Sequence, residues 1–339
     1  MLKFKEGDNK GLGSWFTVPG SWLKVKKPET INQRPETKSL NKSGKGGCYG
    51  RPQGRVNIIE IINNIKEMQK CSDLMRKEGR SIAFVPTMGF LHEGHLSLMK
   101  KGREIADIVV ASIFVNPAQF GPNEDLASYP RNIEEDLKLL IKEGVDIVFL
   151  PSEKDIYPDG FQTYVELKNL PNHLCGLSRP VFFRGIASVV SKLFNIVKPH
   201  YAVFGKKDYQ QLLVIKQMVN DLNFDIEIVG ASIVREKDGL AMSSRNSYLD
   251  PEQRIHALSL YRSLTRAREI LQTGERISSK IIDEATALIK SYPDTEIDYI
   301  KICDPENLGD MGVIDRPALM ALAVKVGKTR LIDNMILNT

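Results

Sequence analysis

From about residue 56 onward, short apolar runs alternate with amphipathic stretches. "SIAFVP" (81–86) has the pattern of a buried strand ended by a proline. "HLSLMKKGREIA" (95–106) places Leu96, Met99 and Ile105 on one side of a helix. "DIVVASIFV" (107–115) is β-branched and apolar throughout, as parallel strands covered on both faces are. In 132–144, Asn132 stands at a helix N-cap, Glu135 at the capping-box position and Gly144 at the end. Its expected core stripe is Ile133, Leu137, Leu140 and Ile141. Strand 145–151, a helix near 185–197, strand 201–204, a helix near 207–221 and strand 226–234 complete the series.

Strands alternating with helices predict an α/β fold, a doubly wound parallel Rossmann-like sheet over residues 56–233. After 234 the rhythm breaks. Helices near 251–273 and 278–291, then strands near 296–303 and 318–326, predict a smaller C-terminal α+β domain over 234–339.

Composition changes the picture mainly at the N-terminus. Residues 1–55 hold 12 Lys/Arg against 4 Asp/Glu, so the net charge of +5 belongs to this basic stretch and the remainder is slightly acidic. That excludes a polyanion-binding body, and the stretch lacks the interleaved aromatics of a nucleic-acid binder. Low hydrophobicity predicts a disordered leader, with a transit peptide as the alternative. No apolar run is long enough to span a membrane. The four cysteines (Cys48, Cys71, Cys175, Cys303) form no CxxC pair, which suits a reducing, cytoplasmic setting and argues against a zinc site.

Chemistry concentrates in "PTMGFLHEGHLSLMKKG" (86–102), which holds two of the chain's five histidines. His92 and His95 could form a metal site, a proton relay, a phosphate cradle or a packing pair. They fall between the first strong strand and its helix, where open α/β sheets bind ligands. The helix N-terminus is expected to offer free N–H groups to an anion. Zinc would need a third ligand, and the nearest candidate, Glu93, points elsewhere on such a turn. Phosphate contact is the favoured reading.

HxGH in this position resembles the signature of the nucleotidyltransferase superfamily. With "FVNPAQF" (114–120), "FGKKDYQQ" (204–211) and "REKDGLAMSSRN" (235–246) in the same order and spacing, the chain closely resembles the pantothenate synthetase family from about 57 to 337. The resemblance implies an ATP-dependent condensation of pantoate with β-alanine through pantoyl adenylate, releasing AMP and pyrophosphate. It further implies that Met88, Gly89, Phe90, Leu91, His92, Glu93, Gly94 and His95 wrap the ATP phosphates, with His95 as proton donor and His92 and Lys207 as further catalytic groups. Gly205, Lys206, Lys207 and Asp208 would bind nucleotide, Lys207 on phosphate and Asp208 on ribose. Val234 would line the adenine pocket, and Met242, Ser243, Ser244 and Arg245 would clamp pyrophosphate. Gln119 and Gln211 would hold pantoate, with Gln119 also meeting β-alanine. Mg2+ is expected with ATP, Glu135 or Asp136 being able to approach it through water, and a homodimer is implied.

Two stretches depart from the family pattern. Lys206 stands where Glu is usual, and "RPVFFRG" (179–185) puts Val181 and Phe182 in place of Gly and His. Arg184 or Lys206 could offset the lost donor. Two alternatives stand beside the ligase reading. One is an adenylyltransferase acting on a phosphate ester, which the Asn116/Gln119 and Gln210/Gln211 amides disfavour. The other is a nucleotide-binding module without catalysis, which Lys207 and Ser243–Arg245 disfavour.

Overall fold

The computed structural model describes residues 59–338 except Asn123, together with the backbone of three short strands nearer the N-terminus. These are β1 (Phe4–Lys5), β2 (Trp15–Val18) and β3 (Ser21–Lys24), which pair antiparallel in that order. Where a wholly disordered leader is expected, the aromatic and β-branched "WFTV" thus forms a strand. The rest of that leader, Cys48 included, lies outside the described residues.

The main sheet is six-stranded and parallel, in the order β4 (Glu60–Ile62), β7 (Ile147–Phe149), β6 (Ile108–Ile113), β5 (Ile82–Thr87), β8 (Tyr201–Gly205), β9 (Glu227–Ala231). Winding runs from β5 through β6 to β7, then resumes on the other side of β5 at β8. A topological switch point therefore lies between β5 and β8, where the chain opens a crevice beyond the strands' carboxyl ends.

Both faces are covered, which explains the unbroken apolar strands. One face packs on α1 (Ile65–Lys77), α6 (Phe182–Val197) and α7 (Tyr209–Asp221), through Met68, Phe84, Phe194 and Ile215. The other packs on α2 (Glu93–Ile105) and α3 (Ile133–Lys142), through Val85, Met99 and Leu140. Two shorter helices, α4 (Glu153–Ile156) and α5 (Leu174–Ser178), sit in the connections.

A second core gathers α8 (Pro251–Gln272), α9 (Ser278–Lys290) and an antiparallel sheet of β10 (Thr295–Cys303), β11 (Ala318–Val326) and β12 (Thr329–Leu337). Its sheet also reaches the first core through Cys303, Leu319 and Ala321.

Several expectations need correction. Pro86 does not end its strand. It lies inside β5, opposite Ser112 of β6. Asn132 caps α3, accepting the Glu135 N–H at 3.2 Å, but Glu135 turns outward to Lys138 and closes no capping box. Ile133 is 37% exposed and leaves the core stripe. Helix α6 begins three residues earlier than expected, and β9 stops at Ala231, freeing Ser232–Val234 from the sheet.

Candidate active site

A cavity of about 260 Å³ occupies the switch-point crevice. It brings together residues more than 150 positions apart: Met88, His92, Gly94 and His95 beyond β5, Gln119 beyond β6, Gly205, Lys207, Asp208 and Gln211 beyond β8, and Val234 with Met242–Arg245 from the segment after β9.

The β5–α2 turn is shaped by its backbone. Gly89 has φ +82°, and a Cβ there would sit 3.0 Å from both Asp136 Oδ2 and Ile113 Cγ2, so glycine is required twice over. Phe90 follows at φ +51°, a conformation costing about 1–3 kcal/mol for a non-glycine residue. Its peptide groups are held from two directions. The Phe90 N–H donates to Asp136 Oδ2 at 2.9 Å, and Ser244 Oγ donates to the Phe90 carbonyl at 3.2 Å. The Leu91 N–H reaches Asp136 Oδ1 at 2.7 Å. Burial raises the Asp136 carboxyl above its ordinary range, opposed by these two N–H groups.

That arrangement corrects the expected backbone cradle. The Gly89 N–H goes to Thr87 Oγ1, those of Phe90 and Leu91 to Asp136, that of His92 to His95 Nδ1 and that of Gly94 to His92 Nδ1. The His95 N–H bonds the His92 carbonyl at 2.8 Å. These amides are already satisfied, and α2 starts at Glu93 with His92 as its cap. The turn does present its two imidazoles to the cavity.

The two rings lie 4.1 Å apart, centroid to centroid. Because each Nδ1 accepts a main-chain N–H, each neutral ring carries its proton on Nε2. Burial, and then the Lys207 charge, lowers the His92 pKa to about 4. Burial followed by His92 and Lys207 holds His95 well below its ordinary value. Both are neutral N–H donors at pH 7.

Positive charge comes from elsewhere in the cavity, from Lys207, Arg179, Arg245 and Arg330, against a single lining carboxylate, Asp208. Three of these cations are paired: Arg245 with Asp125 (2.8 Å), Arg179 with Glu124, and Arg330 with Asp298 (2.6 Å). Among the described residues Lys207 makes no ion pair. Arg179 also stacks on Phe182, its guanidinium carbon 3.6 Å from the ring centroid.

The amides divide by role. Gln119 is buried, its Oε1 accepting from Asn116 Nδ2 at 3.0 Å and its Nε2 facing Met88 Sδ. Asn116 is fixed in turn by Tyr157 Oη (2.7 Å) and the Gly185 carbonyl (3.2 Å). A Cβ at Gly185 would meet the Ala118 carbonyl oxygen at 2.2 Å, so α6 can approach this loop only at a glycine. Gln211 lines the cavity. Gln210 does not: it accepts the Cys175 N–H and donates to the Leu170 and His173 carbonyls, a structural brace.

Other expected site residues fall outside the cavity lining. Glu93 and Lys206 are exposed, Gly89 faces a neighbouring cavity, and Phe90 and Leu91 contribute backbone to the turn. Arg184 is exposed with its guanidinium 5.1 Å from the Tyr164 ring, so neither it nor Lys206 is placed to replace a donor at Phe182. Glu135 and Asp136 are likewise absent from the lining; Asp136 faces the neighbouring cavity, and its two oxygens accept the turn's N–H groups. Ser243 caps a short turn through the Arg245 N–H at 3.3 Å while lining the cavity. Tyr129 and Arg330 were missed in the sequence, since each stands outside any motif that marks a ligand site, and Arg179 opens the "RPVFFRG" stretch without having been singled out.

Comparison with known proteins places this geometry. Residues 60–336 match the family model described as pantoate-beta-alanine ligase. The chain is 58% identical over 279 residues to a pantothenate synthetase from Desulfatibacillum aliphaticivorans, spanning 82% of this chain and 99% of the relative. A pantothenate synthetase from Thermotoga petrophila is 55% identical over 279 residues, covering 82% and 100%. The crystal structure of the Thermus thermophilus pantothenate synthetase superposes with TM-score 0.79 at 42% identity, covering 82% of this chain and 99% of that one. The Francisella tularensis ligase, solved with Beta-gamma ATP and Beta-alanine, gives 0.70 at 38% identity, covering 83% and 98%.

Proposed function

Because the chain belongs to the pantoate–β-alanine ligase family, we propose that it condenses pantoate with β-alanine at the expense of ATP, through pantoyl adenylate. The observation that carries this reading is the convergence of the HxGH, Gln119, GKKD and MSSR stretches on one cavity at the sheet's switch point. A carboxylate is a poor acyl donor to an amine and needs a good leaving group. A pantoate carboxylate oxygen bonds to the α-phosphorus as the bond to pyrophosphate breaks. The β-alanine nitrogen then bonds to the acyl carbon, AMP departs with the C–O electron pair, and the amine gives up a proton.

Negative charge grows on phosphate oxygens in the first step. His92 and His95 are read as neutral Nε2–H donors to those oxygens, with Lys207 and Arg245 supplying charge. Ser243 and Ser244 would meet the departing pyrophosphate, Asp208 the ribose, Val234 the adenine, and Gln119 and Gln211 pantoate, with Gln119 also near β-alanine. We read 56–233 as the nucleotide- and pantoate-binding unit and 234–339 as its lid, in a cytoplasmic homodimer. Among the described residues no group of three His, Cys, Asp or Glu could hold a metal, and no helix is long and apolar enough to cross a membrane. Mg2+ is expected to arrive on the ATP phosphates, where it would neutralise charge.

The test is AMP release from ATP, pantoate and β-alanine, each omitted in turn. Release that needs all three for turnover supports the ligase. Transfer of the AMP moiety to a phosphate ester, with pyrophosphate but no free AMP released, supports the adenylyltransferase alternative.

A further inference from the structure

Lys207, the cavity cation that has no ion-pair partner among the described residues, sits in a short turn after β8, and its direction depends on how that turn is held. The two peptide planes flanking its Cα carry the Lys206 and Lys207 carbonyls. Both oxygens accept from one group, the Asn334 side-chain amide, at 3.0 Å and 2.8 Å. One NH2 thus uses its two hydrogens to fix the plane on each side of Lys207. Orienting both planes sets the residue's φ and ψ, and so the direction of its Cα–Cβ bond.

Asn334 is itself held firmly. It lies in β12, 5% exposed, paired with Ala321 of β11. Its N–H donates to Asp333 Oδ1 at 2.8 Å. Asp333, 3% exposed, is gripped by Arg235 at 2.6 and 2.9 Å. Arg235 also donates to the Gly239 carbonyl and lies 4.5 Å from the Tyr261 ring centroid. One buried chain of bonds therefore joins three stretches: β12, the GKKD turn, and the 235–241 segment that leads into Met242–Arg245. A carboxylate could not serve at 334, because it would face two carbonyl oxygens without a hydrogen to give.

We infer that Asn334 is a positioning residue for the ligase reaction: from the C-terminal sheet it aims the Lys207 ammonium into the cavity. The inference rests on the functional reading of Lys207 as a phosphate contact. It assigns the C-terminal strand a part in building the nucleotide site from behind, in addition to covering it.

The experiment is a double-mutant cycle read by AMP release, with Asn334→Ala, Lys207→Ala and the pair. Asn334→Ala should lower turnover by roughly ten- to a hundredfold with the pantoate half-saturation unchanged, and should add no further loss on the Lys207→Ala background. Normal turnover in Asn334→Ala, or full multiplicative loss in the pair, overturns the inference. Asn334→Ser keeps one donor in the same space and replaces alanine in the cycle should that variant not fold. A wild-type protein without pantoate-dependent AMP release would fail the functional reading instead. The positioning role then stands or falls on a second readout, NMR titration of His92. Removing the Lys207 ammonium should raise the His92 pKa, and Asn334→Ala should raise it in the same direction. An unmoved His92 in Asn334→Ala, beside a raised one in Lys207→Ala, overturns it.

Discussion

The main-chain N–H of His92 donates to Nδ1 of His95 at 3.3 Å, and the proton of the His95 ring is thereby assigned to Nε2. His95 is a neutral, oriented donor, since burial depresses its pKa. Replacing His95 by alanine should cut turnover about 10²–10³-fold, the effect of losing one preorganised donor to developing charge. The pantoate half-saturation should change much less. Near-normal turnover would return the histidines to a packing role.

The same burial sets a pH dependence. In the unfolded chain His92 binds its proton near 6.5, in the folded protein only near 4. Between those values the unfolded state takes up more protons, so stability declines as pH falls through that window. Thermal midpoints measured from pH 7 to 4 should fall less steeply for His92→Ala than for the natural protein. Equal slopes would mean that His92 does not titrate abnormally.

Adjacent glutamines should behave differently. Gln211→Ala removes a cavity amide and should raise the pantoate requirement without lowering the thermal midpoint. Gln210→Ala leaves the Cys175 N–H and the Leu170 and His173 carbonyls without their partner. It should cost about 2–4 kcal/mol of stability. Steady-state kinetics and thermal melts on both variants decide the matter, and matching phenotypes would dissolve the distinction.

Periodicity in the sequence located the parallel sheet, because strands buried on two faces are written as unbroken apolar runs such as "DIVVASIFV". It did not mark β12, "TRLIDNMIL", where Asp333 and Asn334 are consecutive, polar and both buried. That pairing breaks period-two alternation because both side chains serve the interior network. In the site, motif spacing brought His92, His95, Lys207 and Arg245 to one place. It gave no sign that Asp136, on a helix 46 residues after Phe90, had taken the turn's amides. Which donors a loop has left to offer depends on partners distant in sequence.

Phe182 puts an apolar ring in the cavity beneath the Arg179 guanidinium. Phenylalanine gives a phosphate no hydrogen bond, yet His92, His95, Lys207 and Arg245 remain in the lining. The natural protein should therefore be active. Changing Val181→Gly with Phe182→His should raise pantoate-dependent turnover by up to about a hundredfold, the span of one charge-assisted hydrogen bond. Activity detectable only after that change would mean the natural chain binds nucleotide without catalysing.

The central claim is that pantoate is adenylated in this cavity before β-alanine takes part. Isotope exchange between labelled pyrophosphate and ATP reads that step alone. With pantoate present and β-alanine absent, label should appear in ATP, and omitting pantoate should abolish it. Exchange that requires β-alanine, or that proceeds without pantoate, would contradict the account.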